Sequence, residues 1–325
     1  MRCWGILNFL AASPEERRAY YTEEWDKKDL PDFILATIKE REFGFDHNGD
    51  GPRDRYNTFN SEEQLEVFFK KKHPFAAYTS VSLYEEPGKR GGWLKAELVF
   101  DIDAKDLPVK SCGCATGKVC TTCLRDAKEF LMMTADVLHG DLGLREVRYV
   151  YSGRGYHIRV LDEKIMREDS VVRGEILDYV GGSVLPSGVQ WRLKKGYPRV
   201  FKERAFKFMQ SLSEEKIAEM PNISAKKALQ VKEKALLIAN ELGDGDFTTL
   251  KNILKKKGTE SFLEQLRLYN SSVLDGKVTV DVKRILRLPS SLHSAVSMKC
   301  MEVKNIERFD PLRDAIPKFV GERST

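Results

Sequence analysis

The spacing of apolar positions is helical at the start of the chain and becomes strand-like after residue 76. Ser13-Pro14-Glu15-Glu16 reads as a helix start, with Ser at the N-cap, Pro at the first helical position and Glu at the third. The segment to about Arg41 follows as helix, broken at Pro31, and residues 61–72 (SEEQLEVFFKKK) predict a second, short helix. From Ala76 four strand-like runs follow: AAYTSVSLY, WLKAELVFDID, REVRYVYSG and GYHIRVLD. A helix from about Thr122 to His139 separates the second run from the third, and a tight Gly-rich turn joins the third to the fourth. Residues from about Asp169 to Tyr269 regain helical spacing, and Gly243-Asp244-Gly245 closes one of the helices. Strand texture returns at Lys277 to Val282, ahead of RILRLPSSLHS. The succession predicts a mixed α/β fold with a largely antiparallel sheet. Residues 1–168 and 270–325 would form one core, and the helical stretch 169–269 would be an insertion into it.

Composition narrows the class. A chain of 325 residues has length for about two domains; the strand texture after the helices reduces this to one interrupted core. With 42% hydrophobic and 10% aromatic residues it is neither disordered nor fibrous, and no apolar run approaches the ~18 residues of a membrane span. Met1 to Ala12 loosely resembles a signal peptide, but Gly5 and Asn8 interrupt its apolar stretch, so it reads as a packed arm of a cytoplasmic protein. The net charge of +5 is mild as a total but uneven: residues 192–260 hold 16 Lys or Arg against 9 Asp or Glu, leaving the remainder slightly acidic. A basic helical lobe suits nucleic acid; a Lys-rich solvated surface has the same composition.

Several constellations carry candidate chemistry. In Leu98-Val99-Phe100-Asp101-Ile102-Asp103 a strand places Asp101 and Asp103 on one face and Leu98, Phe100 and Ile102 on the other. Two carboxylates one pleat apart suit a hard cation such as Mg²⁺ or Mn²⁺ holding a triphosphate, although a solvated strand end would look alike. In Ser152-Gly153-Arg154-Gly155-Tyr156-His157 the glycines permit a tight turn, and Ser152, Arg154 and His157 add donors for phosphate. Cys112-X-Cys114-X5-Cys120-X2-Cys123 supplies four sulfurs, a closed set for structural zinc, with an iron–sulfur cluster or a redox dithiol as alternatives. Cys3 and Cys300 read as ordinary buried thiols. Asp46-X-Asn48-X-Asp50-Gly51 imitates a calcium loop but has Asn57 where the bidentate Glu belongs, so it reads as a turn, with Arg53 and Arg55 within reach of a phosphate. Asp275, Arg284, Arg287 and His293 would complete a metal–triphosphate site if the chain returned beside Asp101.

Taken together, EERRAYYTEEWD, REFGFDHNGDGPRDRY, VFDID, the cysteine cluster after it, SGRGYH and RILRLPSSLH resemble the small, catalytic subunit of archaeal and eukaryotic DNA primases, in its archaeal form. The resemblance implies a nucleotidyltransferase that starts chains de novo on a single-stranded DNA template. Asp101, Asp103 and Asp275 then match the aspartates that hold two Mg²⁺ or Mn²⁺ ions. Ser152, Arg154, His157, Arg287 and His293, with Arg55 as a further member, match the nucleotide-binding residues. Cys112, Cys114, Cys120 and Cys123 match a structural zinc knuckle. The implied partners are an iron–sulfur-containing large subunit, the template, nucleoside triphosphates and other replication proteins, with no membrane. A related polymerase acting at pre-existing ends and a catalytically silent zinc protein that binds nucleic acid are the other readings. The helical insertion matches the resemblance poorly in detail.

Overall fold

Ser13 accepts the Glu16 N–H at 3.2 Å and Glu16 accepts the Ser13 N–H at 2.7 Å, so a helix starts at Pro14 through a reciprocal capping box. The computed structural model describes residues 10–108, 110–114, 118–186 and 196–323; Met1 to Phe9, and Cys3 with them, lie outside that set. The expected helix to Arg41 is instead a series of short pieces. Pro14–Ala19 passes into a wider π turn at Tyr20–Glu24, then a 3-10 turn at Lys27–Asp29 and one helical turn at Asp32–Leu35. Side chains explain the break. The π turn is closed by Trp25 N–H donating to Tyr20 O at 2.8 Å, and the side chains of both residues reach Ser290 far along the chain.

The strands are β1 (Phe43–Asp46), β2 (Asp54–Asn57), β3 (Ala76–Ser80), β4 (Ser82–Glu86), β5 (Gly91–Ala96), β6 (Leu98–Asp103), β7 (Val147–Tyr151), β8 (Gly155–Val160), β9 (Ile285–Arg287) and β10 (Met301–Glu302). They build two four-stranded sheets, β2-β1-β3-β9 and β10-β7-β8-β6, and a β4-β5 ribbon, all antiparallel. Two of the long apolar runs each serve two sheets, dividing at Val81 and at Glu97, where Glu97 N–H donates to Val81 O at 3.0 Å.

Glu97 is fully buried and ion-paired with Arg41 at 2.6 Å and Arg159 at 2.9 Å, while Arg173 donates to the carbonyls of Ala96 and Glu97. Buried charge survives there because every ion has an opposite partner or a carbonyl. The Asp46 loop is a turn, as its sequence suggests: one carboxylate accepts the N–H groups of Asn48, Gly49 and Gly51.

The inner face of β6, Leu98, Phe100 and Ile102, shares one apolar cluster with the helix Thr121–Gly140 and with Val200, Phe201, Phe208 and Phe262 of the later helices. Two expectations change. Lys277 to Val282 is not a strand: Asp275 accepts the Lys277 N–H at 3.0 Å and caps a helical turn, Gly276–Val280. The positive charge of the helical stretch is also partly consumed. Arg199 pairs with Asp136, Asp141 and Glu203, Lys207 pairs with Glu129, and Arg204 is buried against Thr134 and Val180 O. Among the described residues no helix is long and apolar enough to cross a membrane.

Candidate active site

Strand alternation turns Asp101 and Asp103 away from the apolar face of β6, and pairing with β8 sets Asp101 opposite His157 and Asp103 opposite Gly155. Asp275 returns from the helical stretch to donate its N–H to Asp101 O at 3.1 Å. The three aspartates expected from the sequence are thus brought together. Burial, then the like charges of Asp103 and Asp275, push the Asp101 carboxyl up to about 7 against the opposing pull of Arg154. About a quarter of that side chain still reaches solvent, so a ligand can approach it. The other two carboxylates hold separate donors: Asp103 takes Arg154 at 2.9 Å and the Lys105 N–H at 3.0 Å, and Asp275 caps Lys277.

The β7–β8 turn needs both its glycines. Gly153 has φ +98, and a Cβ there would lie 2.4 Å from the His293 side chain. A Cβ on Gly155 would lie 2.3 Å from Ile102 O. The turn therefore presses against β6 on one side and the His293 loop on the other, with Ser152 closing it through its N–H to Gly155 O at 3.0 Å. His157 Nε2 stands 3.5 Å from Asp101 Oδ1. Burial, reinforced by Arg159 and Arg287, drops the His157 imidazole to about 3, so it is neutral at ordinary pH. His293 is lowered for the same first reason, then by Arg287 and Arg154.

Arg287 and Arg55 reach this region from the other sheet. Gly44 pairs with Tyr78 and Tyr78 with Arg287, one row across β1, β3 and β9. The Arg287 guanidinium lies over the Tyr78 ring at 5.1 Å and donates to Leu292 O at 3.3 Å. Arg55 lies across Gly44, where a Cβ would meet its side chain at 3.0 Å and Ile285 at 3.1 Å. Its Nε donates to Glu42 at 2.6 Å.

The segment before His293 is held from the N-terminal pieces. Tyr20 OH donates to Ser290 O at 2.8 Å, Trp25 Nε1 to Ser290 Oγ at 2.9 Å, and Tyr21 OH accepts the Leu292 N–H at 3.4 Å. Sequence reading missed these three aromatics as supports of the site, and also Glu42, Glu97 and Arg159. A signal was present for Glu97 and Arg159: each interrupts an otherwise strand-like run with a charge. Of the other candidates, Arg284 lies near Asp281 at 3.4 Å, and Arg53 is exposed beside Asp50 at 3.8 Å.

Two buried polar atoms at this site lack a protein partner, Arg154 Nε and His157 Nδ1, as does Arg55 Nη2 beside Glu42. Three neighbouring aspartates, with the Arg154 cation held by one of them and donors left over, fit a polyanion bound together with divalent metal.

The four cysteines form a second site. Their sulfurs lie within 4.8 Å of one another, the one such group of metal-ligating atoms among the described residues. Cys112 and Cys123 are 3.2 Å apart and Cys120 and Cys123 3.8 Å, against edges of about 3.8 Å for a tetrahedral thiolate site. Cys120 stands at the N-cap position of the helix Thr121–Gly140; its desolvation is outweighed by hydrogen bonds from the Cys123 and Thr122 backbone and the neighbouring thiols, which lower its thiol to about 6. The set can hold a metal ion.

A family model described as DNA primase small subunit matches residues 100–304, which include all three aspartates, the β7–β8 turn, the cysteines and His293. The chain is 47% identical to the DNA primase small subunit PriS of Methanothermobacter thermautotrophicus, across 97% of this chain and 98% of that protein. It is 44% identical to the protein of the same name from Methanobrevibacter smithii, across 97% and 99%. For that of Thermococcus kodakarensis the figures are 43%, 95% and 93%. The chain belongs to the DNA primase small subunit family.

Proposed function

We propose that the chain synthesises short primers de novo on single-stranded DNA as the catalytic subunit of a replicative primase, with a large subunit as its partner. The observation that supports this reading is the return of Asp275 to the backbone of Asp101, two residues from the Asp103 that holds Arg154. Asp101, Asp103 and Asp275 would hold two Mg²⁺ or Mn²⁺ ions. These would supply Lewis acidity to the attacking 3′-hydroxyl and the departing pyrophosphate.

The chain's own residues do the rest. Arg154 exchanges Asp103 for the triphosphate, since its planar fork matches either anion. Arg287, fixed by Tyr78 and Leu292 O, adds a second cation, and Arg55 a third. Neutral His157 and His293 act as hydrogen-bonding groups that orient phosphate oxygens without adding charge. In the Cys112–Cys123 loop, zinc would serve as a structural cross-link, because all four coordination positions are sulfur.

The test supplies labelled ribo- and deoxyribonucleotides on an unprimed single strand, with and without Mn²⁺. Primers appear with the wild-type chain and vanish in the Asp101→Ala/Asp103→Ala double variant, which remains folded. Synthesis persisting in that variant overturns the mechanism, and product only from a supplied primer favours an end-extending polymerase.

A further inference from the structure

Away from the aspartates, a cleft of about 630 Å³ opens between the β4–β5 ribbon and the start of the helix Ser170–Gly181. Trp93 lines it and is 44% exposed. Its indole N–H donates to Ser82 Oγ at 3.0 Å, and Ser82 in turn donates to Val282 O at 2.6 Å, so the polar end of the ring is anchored. A large aromatic fixed at one end and open to solvent is a stacking surface that costs little entropy to use.

Four cations share the lining: Lys89, Arg90, Arg167 and Lys283. Arg90 is pre-set. Its Nε donates at 2.6 Å to fully buried Glu42, whose other oxygen holds Arg55, and its guanidinium lies 5.4 Å from the Tyr56 ring centre. Both Arg90 (φ 55) and Tyr56 (φ 65) adopt the left-handed backbone that bulky residues rarely take. Such strain persists only where the surroundings over-determine it, here through Glu42. The Lys89–Glu86 and Arg167–Glu163 pairs are exposed and weak, leaving those cations able to meet a phosphate. Of the two acidic residues in the lining, Asp169 caps the helix through Val171 and Val172 N–H.

We propose that this cleft holds the single-stranded DNA template, one base stacking on Trp93 while neighbouring phosphates meet Lys89, Arg90 and Lys283. The inference rests on the primase reading and gives it a template side. The position suits that role: the helical turn Gly276–Val280, capped by Asp275 and rising only about 7 Å at ~1.5 Å per residue, is followed after Asp281 by Val282 at the cleft edge. A fixed aromatic among cations matches a strand with accessible bases, whereas a paired duplex has no free base face to offer.

The test measures binding of a labelled oligothymidylate to the full chain at several salt concentrations, without nucleotide or divalent metal. Trp93→Ala weakens binding about tenfold, and Trp93→Tyr restores most of it. Wild-type indole fluorescence is quenched on binding, and most of that quenching is absent in Trp93→Tyr although it binds. Lys89→Ala and Lys283→Ala each flatten the plot of log affinity against log salt by about 0.7. Unchanged affinity in Trp93→Ala, a Tyr variant as weak as the Ala variant, or equal binding of a blunt duplex overturns the inference. Because no synthesis is measured, a chain that binds this way yet makes no primers overturns the primase reading and leaves the cleft assignment standing.

Discussion

Arg154 and Asp103, 51 residues apart in sequence, meet at 2.9 Å through Nη2 and Oδ2, so the turn expected to hold phosphate rests on a carboxylate expected to hold metal. Each group then screens the other until ligands arrive. Arg154→Ala is expected to raise KM for the incoming nucleotide at least tenfold, and Arg154→Lys to recover little of it, because a point charge cannot reproduce the fork. Steady-state kinetics over a nucleotide series checks this.

Asp101 lies buried among like charges, an arrangement that suits a ligand and strains the free protein. Asp101→Asn should abolish synthesis while leaving metal-free stability unchanged or raised by about 1 kcal/mol. Thermal melts in chelator, beside primer assays, separate the two effects.

The glycines of the β7–β8 turn are required by close contacts. Gly155→Ala would drive a methyl into Ile102 O and pull β8 from β6, lowering Tm by several degrees and removing activity. Gly140→Ala, with nothing within 4 Å and ordinary backbone, is the control and should be neutral or slightly stabilising. Differential scanning fluorimetry of both variants is sufficient.

Glu97 balances Arg41 and Arg159 where no water reaches. Removing one partner of such a cluster leaves uncompensated charge, so Glu97→Ala should cost about 3–5 kcal/mol in denaturant unfolding.

Acid sensitivity has one traceable source at the N-terminal helix. Glu16 is held below its ordinary 4.5, first by its hydrogen bond to Arg323, and its burial only partly offsets this. A carboxylate lowered in the folded state contributes stability that is complete above the unfolded value and is lost as pH falls through the folded one. Glu16→Gln should therefore reduce Tm at pH 7 and flatten its decline below about pH 4.5, read from melts across pH 3 to 7.

How much of this was legible in the sequence depends on how local each signal is. The capping box at Ser13, the alternation in VFDID, the β7–β8 hairpin and the cysteine spacing are set by residues close in the chain, and each has the expected local form. In the first helical stretch the break at Pro31 was legible, but the π turn at Tyr20–Glu24 was not, since it brings Tyr20 and Trp25 to Ser290. Likewise Lys277 to Val282 has strand-like residues but follows an Asp-Gly cap whose carboxylate starts a helical turn. The partial neutralisation of the basic stretch by Asp136, Asp141 and Glu129 depends on how its helices pack against Thr121–Gly140. Composition cannot show that packing.

The bonds from Tyr20 and Trp25 to Ser290 close loops of 270 and 265 residues. A ribosome making this chain must therefore add some 270 residues after Tyr20 before its hydroxyl can reach the segment that carries His293. The β7–β8 hairpin can form early, but the site as a whole is assembled late, when non-local closure is slowest and apolar surface is longest exposed. Until then the rings of Tyr21 and Trp25 can pack on Phe69, but the Tyr20 hydroxyl and the Trp25 indole N–H wait for Ser290.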